Sequence, residues 1–115
     1  MSWRLKVRDK FQAAHCLRGY KGKCEKIHGH TFLVEVVVEI RKLNDIGIGI
    51  DFSEIKKKLS EILPDHSFLN EIYDFNPSAE NLSREFYYEL KKFFPVKEVT
   101  VWESENASAT YFEDQ

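Results

Sequence analysis

The sequence predicts an α+β fold in which four mostly antiparallel strands carry two helices on one face. Three observations predict it. Two long runs near the N-terminus alternate apolar and polar residues, two stretches in the middle repeat apolar residues at helical spacing, and two short strand-like runs close the chain. The order is therefore ββαα followed by ββ. At 115 residues, 43% of them hydrophobic, the chain can bury one core but not two, so residues 1–115 are read as a single domain.

Residues 3–15 form the first predicted strand. Trp3, Leu5, Val7, Phe11 and Ala13 recur at every second position, Asp9 breaks the pattern, and His15 falls on the same face. "LRGYKGKCEKI" then brings two glycines and four basic residues, the composition of an exposed loop. In "HTFLVEVVVEIRKL" the apolar positions are Phe32, Val34, Val36, Val38 and Ile40, with Glu35, Glu39 and Arg41 between them, which predicts a half-buried strand. Its parity, carried back through Gly29, places His28 and His30 on the apolar side. "NDIGIG" reads as a turn. A helix follows with Ser53 as its cap, Ile55, Leu59, Ile62 and Leu63 as an apolar stripe, and Pro64 as its stop. A second helix starts in "NPSAEN", capped by Asn76 or Ser78, and runs through Leu82, Phe86, Leu90 and Phe93 to Pro95. "KEVTVWES" and "SATYF", joined by "ENA", make the closing hairpin.

A net charge of −2 and a pI near 6.1 supply no overall attraction to nucleic acid or to anionic membranes. "MSWRLKVRDK" is basic but lacks an apolar h-region, and no 18 consecutive residues are apolar. The expectation is a cytoplasmic protein without nucleic-acid or membrane partners. Cys16 and Cys24, the two cysteines, are expected to be free thiols.

The chemistry concentrates in "CEKIHGH", residues 24–30. His28 and His30 project to one side of an extended chain, and His15 joins them if the two long strands pair. Three imidazoles with an open fourth position fit a catalytic Zn²⁺; singly, each reads more readily as a satisfied core histidine. Cys24, between Lys23 and Lys26, is a base or nucleophile of lowered pKa, a fourth ligand, or an inert small residue. Asp65 and His66 in "PDHSFLN" read either as a carboxylate–imidazole couple for proton transfer or as a capped helix-terminal turn. Glu103 shares the parity of Val99 and Val101, which puts a carboxylate on an apolar face. It needs a partner there, either the paired N–H edge of a guanine-type ring or a Lys or Arg of the chain.

Taken in order, "FQAAH", "CEKIHGH", "IDFSEIK", "DHSFLN", "NPSAEN" and "VWES" resemble the 6-pyruvoyltetrahydropterin and 6-carboxytetrahydropterin synthase family over nearly the whole chain. The resemblance implies a tunnelling fold (T-fold), a four-stranded antiparallel sheet with two helices on one face, assembled as a hexamer of two stacked trimers. It implies that His15, His28 and His30 hold zinc, that Cys24, Asp65 and His66 are catalytic, and that Glu103 anchors a pterin ring. Ser78 stands near the pterin, where the family often has Thr. Arg18, Lys21, Lys23 and Lys26 are candidates for holding a triphosphate, or are a solvated loop.

The substrate implied is 7,8-dihydroneopterin triphosphate, a small molecule. The Cys-x-x-x-His-Gly-His spacing resembles the queuosine-pathway branch, which releases acetaldehyde and triphosphate and leaves 6-carboxy-5,6,7,8-tetrahydropterin. Glu25 also satisfies the Glu-x-x-His-Gly-His pattern of a folate-pathway branch, whose product is 6-hydroxymethyl-7,8-dihydropterin. A 6-pyruvoyltetrahydropterin synthase and a non-catalytic zinc-stabilised module complete the alternatives. Cys16 departs from relatives that carry Arg after this His.

Overall fold

The computed structural model describes residues 1–19 and 26–113. Strand β1, Trp3–His15, pairs antiparallel with β2, His28–Ile40, along their full lengths, so that His15 lies opposite His28 and Trp3 opposite Ile40. Thirteen-residue strands in one ladder explain the elongated shape, 55 × 30 × 26 Å. On the outer face, register sets Arg4 opposite Glu39 and Arg8 opposite Glu35; both pairs close as ion pairs, at 3.5 and 2.7 Å. Such cross-strand charges fix register more than they add stability.

Asn44 makes the turn after β2. Its Oδ1 accepts from the N–H groups of Ile46 and Ile48, and Gly47 supplies the positive φ of 82° that the tight return requires. Helix α1, Phe52–Ile62, is capped two residues earlier than predicted, by Asp51 rather than Ser53. The Asp51 carboxylate accepts from the backbone N–H and hydroxyl of Ser53, and those two donors hold it below the usual carboxylate range. The parity exception Asp9 is explained here: Ser60 of α1 donates to it at 2.5 Å.

"DHSFLN" holds two elements too short for periodicity to reveal. Strand β3, Ser67–Phe68, pairs parallel with β1, and helix α2, Leu69–Ile72, is a single turn. Helix α3, Ala79–Lys91, is capped by Ser78, whose hydroxyl accepts from Asn81 N–H. It stops before Phe93 and Pro95, short of the predicted end. Strands β4, Val96–Ser104, and β5, Ala107–Phe112, form the hairpin. The sheet order is β3-β1-β2-β4-β5, five strands where four were expected.

The core lies between the sheet and α1 and α3. Val34, Val36, Val99 and Val101 from the sheet meet Ile55, Leu59, Leu82, Phe86 and Leu90, all at 0% exposure. Phe11 and Phe32, paired across β1 and β2, stack at 4.8 Å, and Phe86 meets Phe11 edge-on. This packing fixes the helix-facing side of β1 and β2, the side on which His15, His28 and His30 stand. Among the described residues no helix is long and apolar enough to cross a membrane.

Candidate metal and active site

His15 ends β1 and His28 begins β2, so antiparallel pairing sets them opposite each other, with His30 one pleat further along. The rings meet edge-to-face with centroids 4.6, 4.7 and 5.1 Å apart. His15 is wholly buried, and its Nδ1 donates to the Pro77 carbonyl at 2.8 Å. His28 Nδ1 donates to the Lys26 carbonyl, also at 2.8 Å. These bonds assign the proton of each neutral ring to Nδ1 and leave a lone pair on Nε2.

The two Nε2 atoms lie 3.0 Å apart. Lone pairs that close repel unless a cation or proton stands between them. Glu103 Oε1 adds a negative charge 3.1 Å from His30 Nε2 and 3.9 Å from His15 Nε2. One ligand atom from each of His15, His28, His30 and Glu103 falls within 4.8 Å of the others. Bonds of about 2.0–2.1 Å around a tetrahedral zinc place ligand atoms roughly 3.3 Å from one another, so the donor set and spacing fit a zinc ion. Each held Nδ1 is the outer hydrogen bond that metal-ligating histidines characteristically make.

Glu103 lies at a register shift in β4. Trp102 pairs with Ser108 but Ser104 with Ala107, so Glu103 sits at a bulge in β4, an irregularity common beside functional sites. Strand parity indicated its face correctly; sequence gave no sign that imidazoles, rather than a Lys or Arg, would be its neighbours.

Asp65 and His66 occupy the link between α1 and β3. Asp65 Oδ1 accepts from Gln12 N–H at 2.8 Å, His66 N–H donates to the Gln12 carbonyl at 2.6 Å, and His66 Nδ1 lies 2.8 Å from Asp65 Oδ2. The Gln12 N–H is the main reason the Asp65 carboxyl sits below its usual range; desolvation opposes it and His66 adds to it. His66 holds φ at 54°, a left-handed conformation in a residue with a Cβ, and such strain persists where surrounding contacts impose it. Its side chain is 78% exposed. His30 and His66 both border an open depression of about 570 Å³, together with Gln12, Gly29 and Thr31.

Of the remaining expected residues, Ser78 is half-buried and committed to its cap. Cys24 and Glu25, with Lys21 and Lys23, lie outside the described residues. Cys16 is disulfide-bonded, which corrects the expectation that it is free. That expectation came from the redox state of a compartment, whereas bridging depends on which sulfurs the fold brings within reach. Arg18 is engaged by backbone carbonyls of Asn70, Asp74 and Phe75, so it is a structural residue rather than a free cation for phosphate. Lys26 gives its carbonyl to His28.

The fold and cluster together define an α+β protein with a His/Glu cluster that could hold a metal ion at the end of a long β-ladder. Comparison makes this specific: the profile of the 6-pyruvoyl tetrahydropterin synthase family matches residues 4–114, and the chain belongs to that family of lyases. A protein of Archaeoglobus fulgidus provisionally named 6-carboxy-5,6,7,8-tetrahydropterin synthase is 37% identical over 103 residues, 87% of each chain. The dihydroneopterin monophosphate aldolase of Pyrococcus furiosus is 36% identical over 111 residues, covering 90% of this chain and 91% of its own. Among solved structures, the 6-pyruvoyl tetrahydropterin synthase of Caenorhabditis elegans superposes with a TM-score of 0.86 at 24% identity, covering 99% of this chain and 97% of that one. That likeness establishes the T-fold.

Proposed function

We propose that the protein is a zinc-dependent lyase that converts 7,8-dihydroneopterin triphosphate and water to 6-carboxy-5,6,7,8-tetrahydropterin, acetaldehyde and triphosphate. The observation that carries this reading is the convergence of three imidazoles, two with their outer nitrogens anchored on carbonyls, beside a carboxylate. His15, His28 and His30 would hold the ion. Zinc supplies a Lewis acid that polarises a side-chain oxygen of the substrate and acidifies the adjoining C–H bonds.

The chain's own groups do the rest. Glu103, a third exposed, offers paired acceptor oxygens to the N–H edge of the pterin, and Ser78 stands near that ring. Asp65 holds His66 by Nδ1, which leaves Nε2 as the atom that takes or returns a proton. Cys24, in its reduced thiol form, would move the second proton. The side chain of His66 is open to solvent in a single chain, so exclusion of water requires another subunit, consistent with assembly as a hexamer of two trimers. The protein would work in the cytoplasm, in queuosine biosynthesis.

A second reading rests on two observations. The aldolase of Pyrococcus furiosus is as similar as the carboxytetrahydropterin synthase relative, and Glu25 stands three residues before His28-Gly29-His30. In that reading Glu25 binds substrate and moves the proton in place of Cys24, and the product is 6-hydroxymethyl-7,8-dihydropterin. Mass spectrometry of products from dihydroneopterin triphosphate and from the monophosphate, with zinc and a thiol reductant present, decides between them. A carboxylated pterin with acetaldehyde, lost in Cys24→Ala, supports the lyase. A hydroxymethyl product, lost in Glu25→Ala, replaces it.

A further inference from the structure

Two sequence motifs, "DHSFLN" and "NPSAEN", contain asparagines that take no part in the chemistry above. Asn70 Oδ1 accepts from Cys16 N–H and its Nδ2 donates to the Cys16 carbonyl, both at 2.8 Å. Asn76 repeats the arrangement on Arg18, accepting from its N–H at 2.8 Å and donating to its carbonyl at 3.0 Å. A side-chain amide carries the same donor and acceptor as a peptide group. Each asparagine therefore pairs with one residue as a neighbouring strand would, and the ladder of β1 is prolonged past His15 by side chains.

Arg18 closes the arrangement from the other direction. Its Nη1 donates to the Asp74 carbonyl at 2.9 Å and its Nη2 to the Asn70 carbonyl at 3.1 Å. Asn81 Nδ2, from the first turn of α3, donates to the Asn76 carbonyl at 2.9 Å. Residues 70–78 are thus tied at one end to the exit of β1 and at the other to α3. Within that segment lies Pro77, whose carbonyl receives His15 Nδ1. The same bonds hold the backbone following His15 and the acceptor that orients its ring.

We propose that Asn70, Asn76 and Arg18 are positioning residues of the metal site. They fix the Pro77 carbonyl against His15 Nδ1, so that the one fully buried imidazole presents Nε2 to the ion. The inference rests on the reading that His15, His28 and His30 hold zinc, but not on which pterin the enzyme makes. Groups that orient a ligating histidine typically contribute about 10–100-fold to metal affinity.

The test uses Asn76→Ala and Arg18→Lys in the full chain, with Arg4→Ala at the far end of the ladder as control. The zinc dissociation constant is measured by competition with a chromophoric chelator, alongside the thermal midpoint of the metal-free protein and the visible spectrum of the Co²⁺-loaded form. The expected result is zinc binding weakened about 10–100-fold in Asn76→Ala, with altered cobalt bands, and the control unchanged. Arg18→Lys keeps the charge but loses the fork that reaches separate carbonyls, and weakens binding in the same direction if Asn76→Ala does not fold. A dissociation constant within twofold of the parent, with a lowered metal-free midpoint, would show a clamp that serves stability alone and overturns the inference. A parent chain that binds no zinc overturns the metal reading and this inference together.

Discussion

An imidazole offers a metal one nitrogen in a defined direction only when its other nitrogen is held, and His15 meets that condition while fully buried. His15→Ala should weaken zinc binding by more than about 100-fold, beyond what loss of an outer hydrogen bond costs; chelator competition measures it, and an unchanged constant would remove His15 from the site. The Asp65–His66 couple, on the depression that His30 also borders, makes a different prediction. His66→Ala should lower kcat by about 10²–10⁴-fold, the usual contribution of a positioned acid or base, with little effect on zinc affinity. Asp65 also leaves a signature in stability. Its folded-state pKa lies below the ordinary value of 3.8, so its contribution is present above that value and is lost as pH falls through the folded one. Asp65→Asn should therefore be less stable than the parent near neutrality, with the difference shrinking in acid melts towards pH 3.

Helix α3 carries a strain of its own. Glu85 and Glu89 stand one turn apart, and Glu89 is pushed above its usual pKa first by burial and then by the Glu85 charge, with Lys92 opposing. The same two carboxylates, after burial itself, push Tyr73 upward. A raised carboxyl pKa means that ionised Glu89 disfavours folding: stability is fully present below the ordinary 4.5 and falls as pH rises through the folded value. Glu89→Gln should melt higher than the parent at pH 7, by about 0.2–0.5 kcal/mol from the removed like-charge pair alone, and equal it near pH 4. Elements of this kind were legible in sequence because their periods are long: β1 was bounded at Trp3 and His15, and α3 announced its apolar face, with Ser78 one of two candidate caps. Strand β3 and helix α2 span only two and four residues, too few for any period, and their bonds go to distant backbone. The convergence of His15, His28 and His30 was legible through strand parity. The asparagine clamp was not, because side-chain amides standing in for a strand leave no repeating pattern, only a motif without an evident role.

Across the whole molecule the cluster joins β1 through His15, β2 through His28 and His30, and β4 through Glu103. These strands are neighbours in the sheet, and on the proposed reading the ion would sit where the three meet. Without it, the Nε2 atoms of His15 and His28 face each other at 3.0 Å. An ion that binds only the folded chain stabilises it by RT ln(1 + [L]/Kd), about 2.7 kcal/mol at free zinc 100-fold above Kd. For a domain of this size that corresponds to a thermal midpoint higher by roughly 10 °C. Calorimetry of the zinc-loaded protein and of the same sample after exhaustive chelation should show that rise, and its size should grow with the logarithm of free zinc. Replacing His28 with alanine should abolish the dependence while leaving the core of Phe11, Phe32 and Phe86 intact, so the metal-free variant melts close to the metal-free parent. A midpoint indifferent to zinc in the parent chain would mean that the three imidazoles pack without an ion, and the catalytic reading built on them would have to be abandoned.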